Sequence, residues 1–332
     1  MLNVGIIGLG VGNQHIAGYE SHPACRITRL CDFSPEKKTY AIENYPQYAF
    51  TDDANEVLTD PDIQVVSIAS YDNYHAGQVR LALRHDKHVF IEKPLCLFEE
   101  EAVSIRELLR RKGSLRLSSN LILRKCPRFI KLKGLIDKGV LGRLFSVEGD
   151  YNYGRVHKIT DGWRGRIDNY NVFYGGGVHL IDLLRWLTGD RIAEVFAYGN
   201  RMVTEKSAFR YNDFISAHLQ FESGMIGKVS SNYGCVMPHF HMISIYGDKG
   251  TFFNDFDCGK LYFSRDQEEP YEKLDEEYPG YHKGDLIRSF IDAVLGNGKA
   301  EITADEVFCT MSVCFAVEKS IEEGRPVQVN YL

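Results

Sequence analysis

Residues Asn3 to His15 read NVGIIGLGVGNQH, an apolar β-branched run, a turn holding three glycines and the opening of a helical pattern. A run without polar alternation suits a strand buried on both faces, which points to a parallel sheet. In that setting Gly8 permits the tight turn. Gly10 lets the backbone approach a pyrophosphate, whose charge the following helix N-terminus meets. Val11 follows, and the third glycine of G-x-G-x-x-G falls on Asn13, with Gly12 one residue early. The helix is therefore expected to sit slightly further from the sheet. The second strand pattern ends on Asp32, 22 residues after Gly10. A carboxylate there accepts hydrogen bonds from ribose hydroxyls and repels a 2′-phosphate, which favours NAD, while Lys37 and Lys38 leave NADP open. The alternative is that Asp32 merely starts the turn at Ser34-Pro35.

Outward from this stretch, NVGIIG, CRITRLCD, YAFT, QVVSIAS, HVFIEKP and LRLSSN are strand patterns separated by helical ones such as Ala76 to Arg84 and Glu99 to Arg111. Strand and helix in alternation imply right-handed crossovers and a parallel, doubly wound α/β Rossmann domain, assigned to residues 1–121. Beyond it, Arg128 to Lys138 is helical. Longer strands follow at Arg143–Tyr153, Ile192–Met202, Phe214–Glu222, Met225–Tyr233, Met242–Gly247 and Thr251–Phe256, with a hairpin at Ser223-Gly224. Helices from Gly284 to Leu295 and Ala304 to Glu322 close the chain. Residues 122–332 are therefore assigned to an α+β domain with a large open, mainly antiparallel sheet that serves substrate binding and oligomerisation.

The chain has 332 residues, of which 44% are hydrophobic, and a net charge of −6. That size gives room for two cores, and the charge does not suggest a nucleic-acid partner. No uninterrupted apolar run spans a bilayer and the first residues lack a basic leader, so neither membrane nor export is expected. Eight cysteines without a Cys-x-x-Cys pair suit reduced thiols in the cytoplasm. The basic stretch Arg106–Arg143 and the acidic stretch DQEEPYEKLDEEY, residues 266–278, are expected to be solvated surface, the latter a loop.

Ligands of open parallel sheets lie beyond the strands' C-terminal ends. The fourth strand is followed by Ser70, Asn73 and His75, and the fifth by Glu92 and Lys93, all candidate cofactor contacts. Pro94 restricts Lys93 to an extended conformation. A partly desolvated lysine beside the positive ring of an oxidised nicotinamide would have a lowered pKa and could exchange a proton with a substrate hydroxyl. The alternative is a surface lysine paired with Glu92.

A second stretch, FYGGGVHLIDLLRWLTGD (Phe173–Asp190), contains a lone histidine. If Val178–Leu187 is helical, Leu180, Leu183, Leu184 and Leu187 form one apolar stripe. His179, Asp182 and Trp186 are left on an adjoining face, with Asp182 near enough to orient His179; Asp182 and Arg124 are also candidate substrate contacts. Upstream, Tyr153, Arg155, His157, Trp163 and Arg164 interleave cations with aromatics, which suits a sugar ring with a phosphate or carboxylate. The alternative for that segment is an oligomer contact or a solvated loop. His239 and His241 share one side of a strand, but no third ligand is in sequence reach and no metal is expected.

GLGVGNQH, EKP and YGGGVHLIDLLRWLTG together resemble the Gfo/Idh/MocA family of NAD(P)-dependent oxidoreductases. The likeness runs over nearly the whole chain, including RKCPRFIKLKGLIDKGVLGRL, where Arg124 and Pro127 match the family's Arg-x-x-Pro. The resemblance implies Lys93 near the nicotinamide, His179 over the substrate and a sugar, nucleotide sugar or cyclitol as substrate. Similar enzymes often carry an aspartate four residues before this histidine, and here that position is Gly175. Lys93 and His179 then act alone, or Tyr174 supplies a hydroxyl; a core role for Tyr174 and glycines that make room for a bulky ligand are the other readings. The expected activity is hydride transfer between nicotinamide and a secondary alcohol or ketone. The alternatives are an epimerase or lyase that retains NAD through transient oxidation, and an inactive NAD-binding regulator. The open sheet face is expected to pair subunits into a dimer or tetramer.

Overall fold

The computed structural model describes all residues from Met1 to Leu332. Two compact units divide it: Met1–Ile122 with His282–Met311 and Leu332, and Leu123–Tyr281 with Ser312–Tyr331.

The first unit is built on six parallel strands, β1 (Leu2–Ile7), β2 (Cys25–Cys31), β3 (Ala49–Thr51), β4 (Val65–Ile68), β5 (His88–Ile91) and β6 (Leu117–Ser119), in the order β3-β2-β1-β4-β5-β6. Val4, Ile6, Val65, Val66, Ile68, Phe90 and Ile91 are fully buried, as strands covered on both faces require. Helices α1 (Asn13–Glu20), α2 (Pro35–Asn44), α3 (Ala54–Leu58), α4 (Asp72–Arg84) and α5 (Glu99–Lys112) make the crossovers. Strand order reverses between β1 and β4, the switch point at which such sheets bind ligands.

Residues 282–311, assigned from sequence to the second domain, pack with this first unit instead. The reason is a glycine-to-glycine approach. A Cβ on Gly18 of α1 would lie 2.8 Å from the carbonyl oxygen of Gly284. The late helix α9 (Ile287–Val294) brings Phe290 to 5.6 Å from Phe90. Helical periodicity identifies such a helix but not the sheet it covers.

In the second unit α6 (Pro127–Asp137) precedes β7 (Leu144–Asn152), the short α7 (His157–Thr160), α8 (Val178–Thr188), β8 (Ile192–Asn200), β9 (Phe214–Phe221), β10 (Ile226–Asn232), β11 (Phe240–Gly247), β12 (Thr251–Asn254), β13 (Gly259–Tyr262) and β14 (Glu272–Leu274). After α9 come α10 (Ala304–Glu323), which belongs to this unit from Ser312 onward, and β15 (Val327–Gln328). Nine strands form one sheet, β14-β13-β12-β11-β7-β10-β9-β8-β15, antiparallel at every pairing except the parallel β7–β10 contact. The β9–β10 hairpin turns at Ser223-Gly224, closed by Phe221 N–H donating to the Met225 carbonyl at 2.9 Å. Leu180 of α8 packs on β7 over Gly149, where a Cβ would come within 3.2 Å of it. The acidic stretch expected to be a loop contains the edge strand β14. Only one of its strand residues, Leu274, is buried, too weak an alternation to show in sequence.

Candidate active site

The turn after β1 is shaped by two glycines and opened by a third. Gly8 has φ +87°, and a Cβ on it would lie 2.3 Å from the Ala69 carbonyl oxygen. Gly12, the residue before α1, would bring a Cβ within 2.2 Å of the Gly8 carbonyl oxygen, so it supplies the close contact that the pattern assigns to its third glycine. A Cβ on Gly10 meets nothing within 4 Å, so packing does not explain that glycine. Close approach of a ligand to the backbone does. Asp32 follows β2 half-buried. Its Oδ2 accepts from the N–H of Leu9 at 2.7 Å, and its Oδ1 accepts from the N–H of Ser34 at 2.9 Å. It therefore serves its own turn and also ties the glycine turn to β2. Each oxygen keeps a second lone pair for a ribose hydroxyl. These residues fit a dinucleotide: Gly8, Gly10, Val11 and Gly12 with the start of α1 at Asn13 would hold the pyrophosphate, and Asp32 the adenosine ribose.

At the ends of β4 and β5 the structure corrects two of the expected contacts. His75 is fully buried, with Nδ1 2.6 Å from the Pro94 carbonyl and Nε2 3.2 Å from the Ser70 carbonyl; it staples the two strand-end loops together. Glu92 is only 7% exposed, and its Oε1 lies 3.2 Å from His15 Nε2 and accepts from Asn120 Nδ2 at 2.7 Å. His15 reaches Ser67 through Nδ1 at 2.9 Å, and Asn120 also donates to the Lys283 carbonyl at 2.9 Å. Burial opposes ionisation of Glu92, but the hydrogen bond from His15, the charge of Lys283 and the amide of Asn120 outweigh it and hold the carboxyl well below its ordinary range. Glu92 thus anchors the segment that carries Lys93, and its carboxylate is turned to His15 and Asn120. Lys93 is half-buried and its bond to Pro94 is cis. Ser70 donates to Gln78 at 2.7 Å, and Asn73 lies exposed in the first turn of α4. His15 and Asn120 were missed because a histidine inside a helix and an asparagine at a strand end carry no signal without the fold.

In the second unit, Phe173–Gly177 form a π-helical turn that runs into α8. Such turns recur at functional sites. A Cβ on Gly176 would lie 2.3 Å from Cδ1 of Tyr151, and one on Gly175 would lie 2.3 Å and 2.4 Å from the hydroxyls of Tyr170 and Tyr233. Those hydroxyls are 3.1 Å apart. These two glycines therefore make room for the protein's own tyrosines, where the sequence reading allowed for a bulky ligand. Tyr174 is buried and donates its hydroxyl to Glu318 of α10, with its ring edge-on to Phe315 at 5.9 Å. Its expected catalytic hydroxyl is thereby committed to a carboxyl whose pKa burial raises and the bond to Tyr174 lowers, with a net rise. Asp182, expected to orient His179 and touch substrate, instead forms a buried bidentate pair with Arg124, at 2.9 Å from Nε to Oδ2 and 2.6 Å from Nη2 to Oδ1. That geometry makes Arg124 a brace between α8 and the segment before α6, in place of a substrate ligand.

His179 itself is 5% exposed and stacks on Tyr151 of β7, with ring centroids 6.3 Å apart and planes 19° apart. Tyr151 also stacks with Tyr153 at 5.7 Å and touches His239 and His241 at 5.1 Å and 5.2 Å. Arg155 covers Tyr153 at 5.2 Å and Arg164 covers Trp163 at 4.4 Å. Burial, then neighbouring tyrosines, raise the Tyr151 and Tyr233 hydroxyls well above their ordinary pKa, and the charge of Arg164 pulls both back. Of the residues expected to bind substrate, Tyr153 thus meets Tyr151 beside His179 with Arg155 over its ring, the charge of Arg164 acts on Tyr151, Trp163 packs on Arg164, and His157 is exposed at the start of α7. Tyr151, Tyr233 and His241 went unassigned from sequence. The alternation of Val147, Gly149 and Tyr151 along β7 was the available signal for a residue facing α8. His239 and His241 belong to no group of three or more His, Cys, Asp or Glu side chains that could hold a metal.

A 3-2-1-4-5-6 parallel sheet, a glycine turn opening a helix, and a carboxylate after the second strand define a dinucleotide-binding protein of the NAD class. Residues 2–120 match the oxidoreductase family with an NAD-binding Rossmann fold, and residues 129–253 match the GFO/IDH/MocA C-terminal domain. The chain belongs to the GFO/IDH/MocA oxidoreductase family, and its cofactor is NAD. It is 25% identical to the uncharacterized oxidoreductase YrbE of Bacillus subtilis over 98% of this chain and 96% of that one. It is 24% identical to myo-inositol 2-dehydrogenase of Thermotoga maritima over 99% and 98%. A levoglucosan dehydrogenase solved with NADH and levoglucosan has the same fold, with a TM-score of 0.87, 22% identity and full coverage of both chains. No helix is long and apolar enough to cross a membrane.

Proposed function

We propose that the protein moves hydride between NAD and a secondary alcohol or ketone of a sugar, nucleotide sugar or cyclitol. The observation that carries this reading is the wall around Tyr151, where His179, Tyr153 and His239 combine aromatic faces with imidazoles and the charge of the Arg164 guanidinium is felt. Such a wall stacks on the C–H face of a polyol and hydrogen-bonds its hydroxyls. The myo-inositol and levoglucosan dehydrogenases among the similar proteins support the same substrate class.

Bound NAD supplies the hydride acceptor or donor. In this reading Lys93 exchanges the proton of the reacting hydroxyl, acting as base in oxidation and acid in reduction, and the segment anchored through Glu92 holds it. His179 orients the polyol by hydrogen bonds to its hydroxyls, and its ring is kept in plane by Tyr151. Gly175 brings no carboxylate to the proton path, so Lys93 carries the transfer. The buried Tyr233 hydroxyl over Gly175, which burial holds well above its ordinary pKa, stays protonated.

The outward face of the nine-stranded sheet presents Tyr198, Ile226 and Met242 at 65%, 50% and 46% exposure, which supports assembly of copies of the chain into a dimer or tetramer. The scattered cysteines support a cytoplasmic site. Purified protein with NAD and a panel of cyclitols, anhydrosugars and nucleotide sugars is expected to develop the absorbance of reduced nicotinamide. Lys93→Met should abolish that signal and spare NADH binding. Unchanged turnover in Lys93→Met removes the assignment of the proton carrier, and a silent panel removes the substrate class. NAD that co-purifies and is never consumed in turnover favours transient oxidation instead.

A further inference from the structure

The catalytic reading leaves one buried group unused, His241 on β11, which is 3% exposed and pairs directly with Tyr151 across the β7–β11 ladder. Its ring stands edge-on to Tyr151 and to His239, at 5.2 Å and 4.9 Å between centroids. It therefore belongs to the same wall on which His179 stacks. A single hydroxyl fixes it. Tyr278 Oη accepts the backbone N–H of His241 at 3.0 Å and lies 2.6 Å from the Nδ1 of the same residue.

The backbone N–H can only donate to Tyr278 Oη, at 3.0 Å, which leaves the hydroxyl its own proton to give to Nδ1 at 2.6 Å. The phenol is the stronger acid of the pair and the imidazole the stronger base, so the hydroxyl proton points at Nδ1. Burial keeps that hydroxyl protonated. Nδ1 is then the acceptor, and the ring's own proton sits on Nε2. Tyr278 is itself held. Arg128, 4% exposed, covers its ring at 5.2 Å and donates to Asn254 Oδ1 at 2.8 Å, and Asn254 Nδ2 donates to the His241 carbonyl at 2.7 Å. Arg128, Asn254 and Tyr278 thus restrain His241 through both its backbone and its ring.

We propose that His241 is a substrate-positioning residue whose Nε2–H is a fixed donor to an oxygen of the polyol, and that Tyr278 is the positioning residue that sets this tautomer. A donor locked in this way favours a ring hydroxyl or ketone oxygen over an apolar substituent at the same point, which makes it a specificity element. The ligand part of this proposal rests on the polyol reading given above; the tautomer does not.

The test has two arms on the full chain. In the first, protein labelled with ¹⁵N-histidine, without substrate, is expected to show His241 as the Nε2–H tautomer by two-dimensional NMR, and Tyr278→Phe is expected to convert it to a tautomer mixture. A proton on Nδ1 in the unaltered protein, or no change in Tyr278→Phe, overturns the proposal. In the second, myo-inositol and levoglucosan are the probes, with NAD. For the probe that turns over, Tyr278→Phe is expected to raise KM about tenfold while kcat stays within about twofold, the loss of one well-placed hydrogen bond. His241→Leu is expected to raise KM at least as much, and His241→Gln, which keeps a side-chain N–H, to recover most of it. Equal KM for His241→Leu and the unaltered protein overturns the donor role even if Tyr278→Phe fails to fold. If neither probe binds or turns over, the polyol reading falls and takes the ligand part of this proposal with it. The spectrum then judges the tautomer alone.

Discussion

Gly175→Ala tests whether the glycines before α8 serve the protein's own tyrosines. The added methyl would sit 2.3 Å and 2.4 Å from the Tyr170 and Tyr233 hydroxyls, well inside contact distance. Both rings are buried, so relief requires them to move within a packed core, a cost of about 1–3 kcal/mol. Parting the two hydroxyls, now 3.1 Å apart, adds about 1 kcal/mol. Replacing glycine by alanine in a helical turn returns roughly 0.5–1 kcal/mol. The net expectation is a loss of about 1–3 kcal/mol, read as a fall in Tm of roughly 1–4 °C for a chain of this size. The same substitution in a Tyr170→Phe/Tyr233→Phe background should cost much less, because the nearest other atom, the Tyr170 ring carbon, lies at 3.2 Å. Thermal unfolding followed by near-ultraviolet circular dichroism gives all four corners of the cycle. An alanine that costs nothing in the unaltered protein, or costs the same in both backgrounds, refutes the argument.

Asp182→Ala should lose about 3–5 kcal/mol because it strands the buried Arg124 guanidinium, and a joint Arg124→Met/Asp182→Leu replacement should recover most of it, both measured by urea denaturation. Asp32→Ala should weaken NADH binding about 10- to 100-fold in a fluorescence titration, since charge-assisted hydrogen bonds to the ribose and the tie to Leu9 are lost together. Glu92 has a folded-state pKa below its unfolded one. Its stabilisation is therefore complete above about pH 4.3 and drains away as pH falls through the lowered value. The stability gap between the unaltered protein and Glu92→Gln should close in acid and be constant from pH 5 to 7; a gap that widens in acid contradicts the His15–Asn120 assignment.

The first sheet was legible because its strands are local, apolar and separated by helical periods, so the pattern survives without knowledge of the partners. The glycine turn was legible for a similar reason: Gly8 and Asp32 belong to consecutive elements, and the strand between them fixes their relation. Side-chain commitments were not. Glu92 reads as a cofactor contact beside Lys93 until His15, from a helix 77 residues earlier in the chain, takes its carboxylate. Tyr174 reads as a spare hydroxyl until Glu318, 144 residues later, accepts it. Asp182 lies three residues from His179 but turns to Arg124, because a guanidinium fork satisfies both carboxylate oxygens where an imidazole satisfies one.

By itself the sequence determined the doubly wound sheet, the phosphate-binding turn, the open second sheet and the family, since each rests on period, spacing or short motif. Tertiary structure decided which polar side chains support the site and which make it. A buried polar group takes whichever partner completes its hydrogen bonds at least cost, and that partner comes from wherever the fold delivers it.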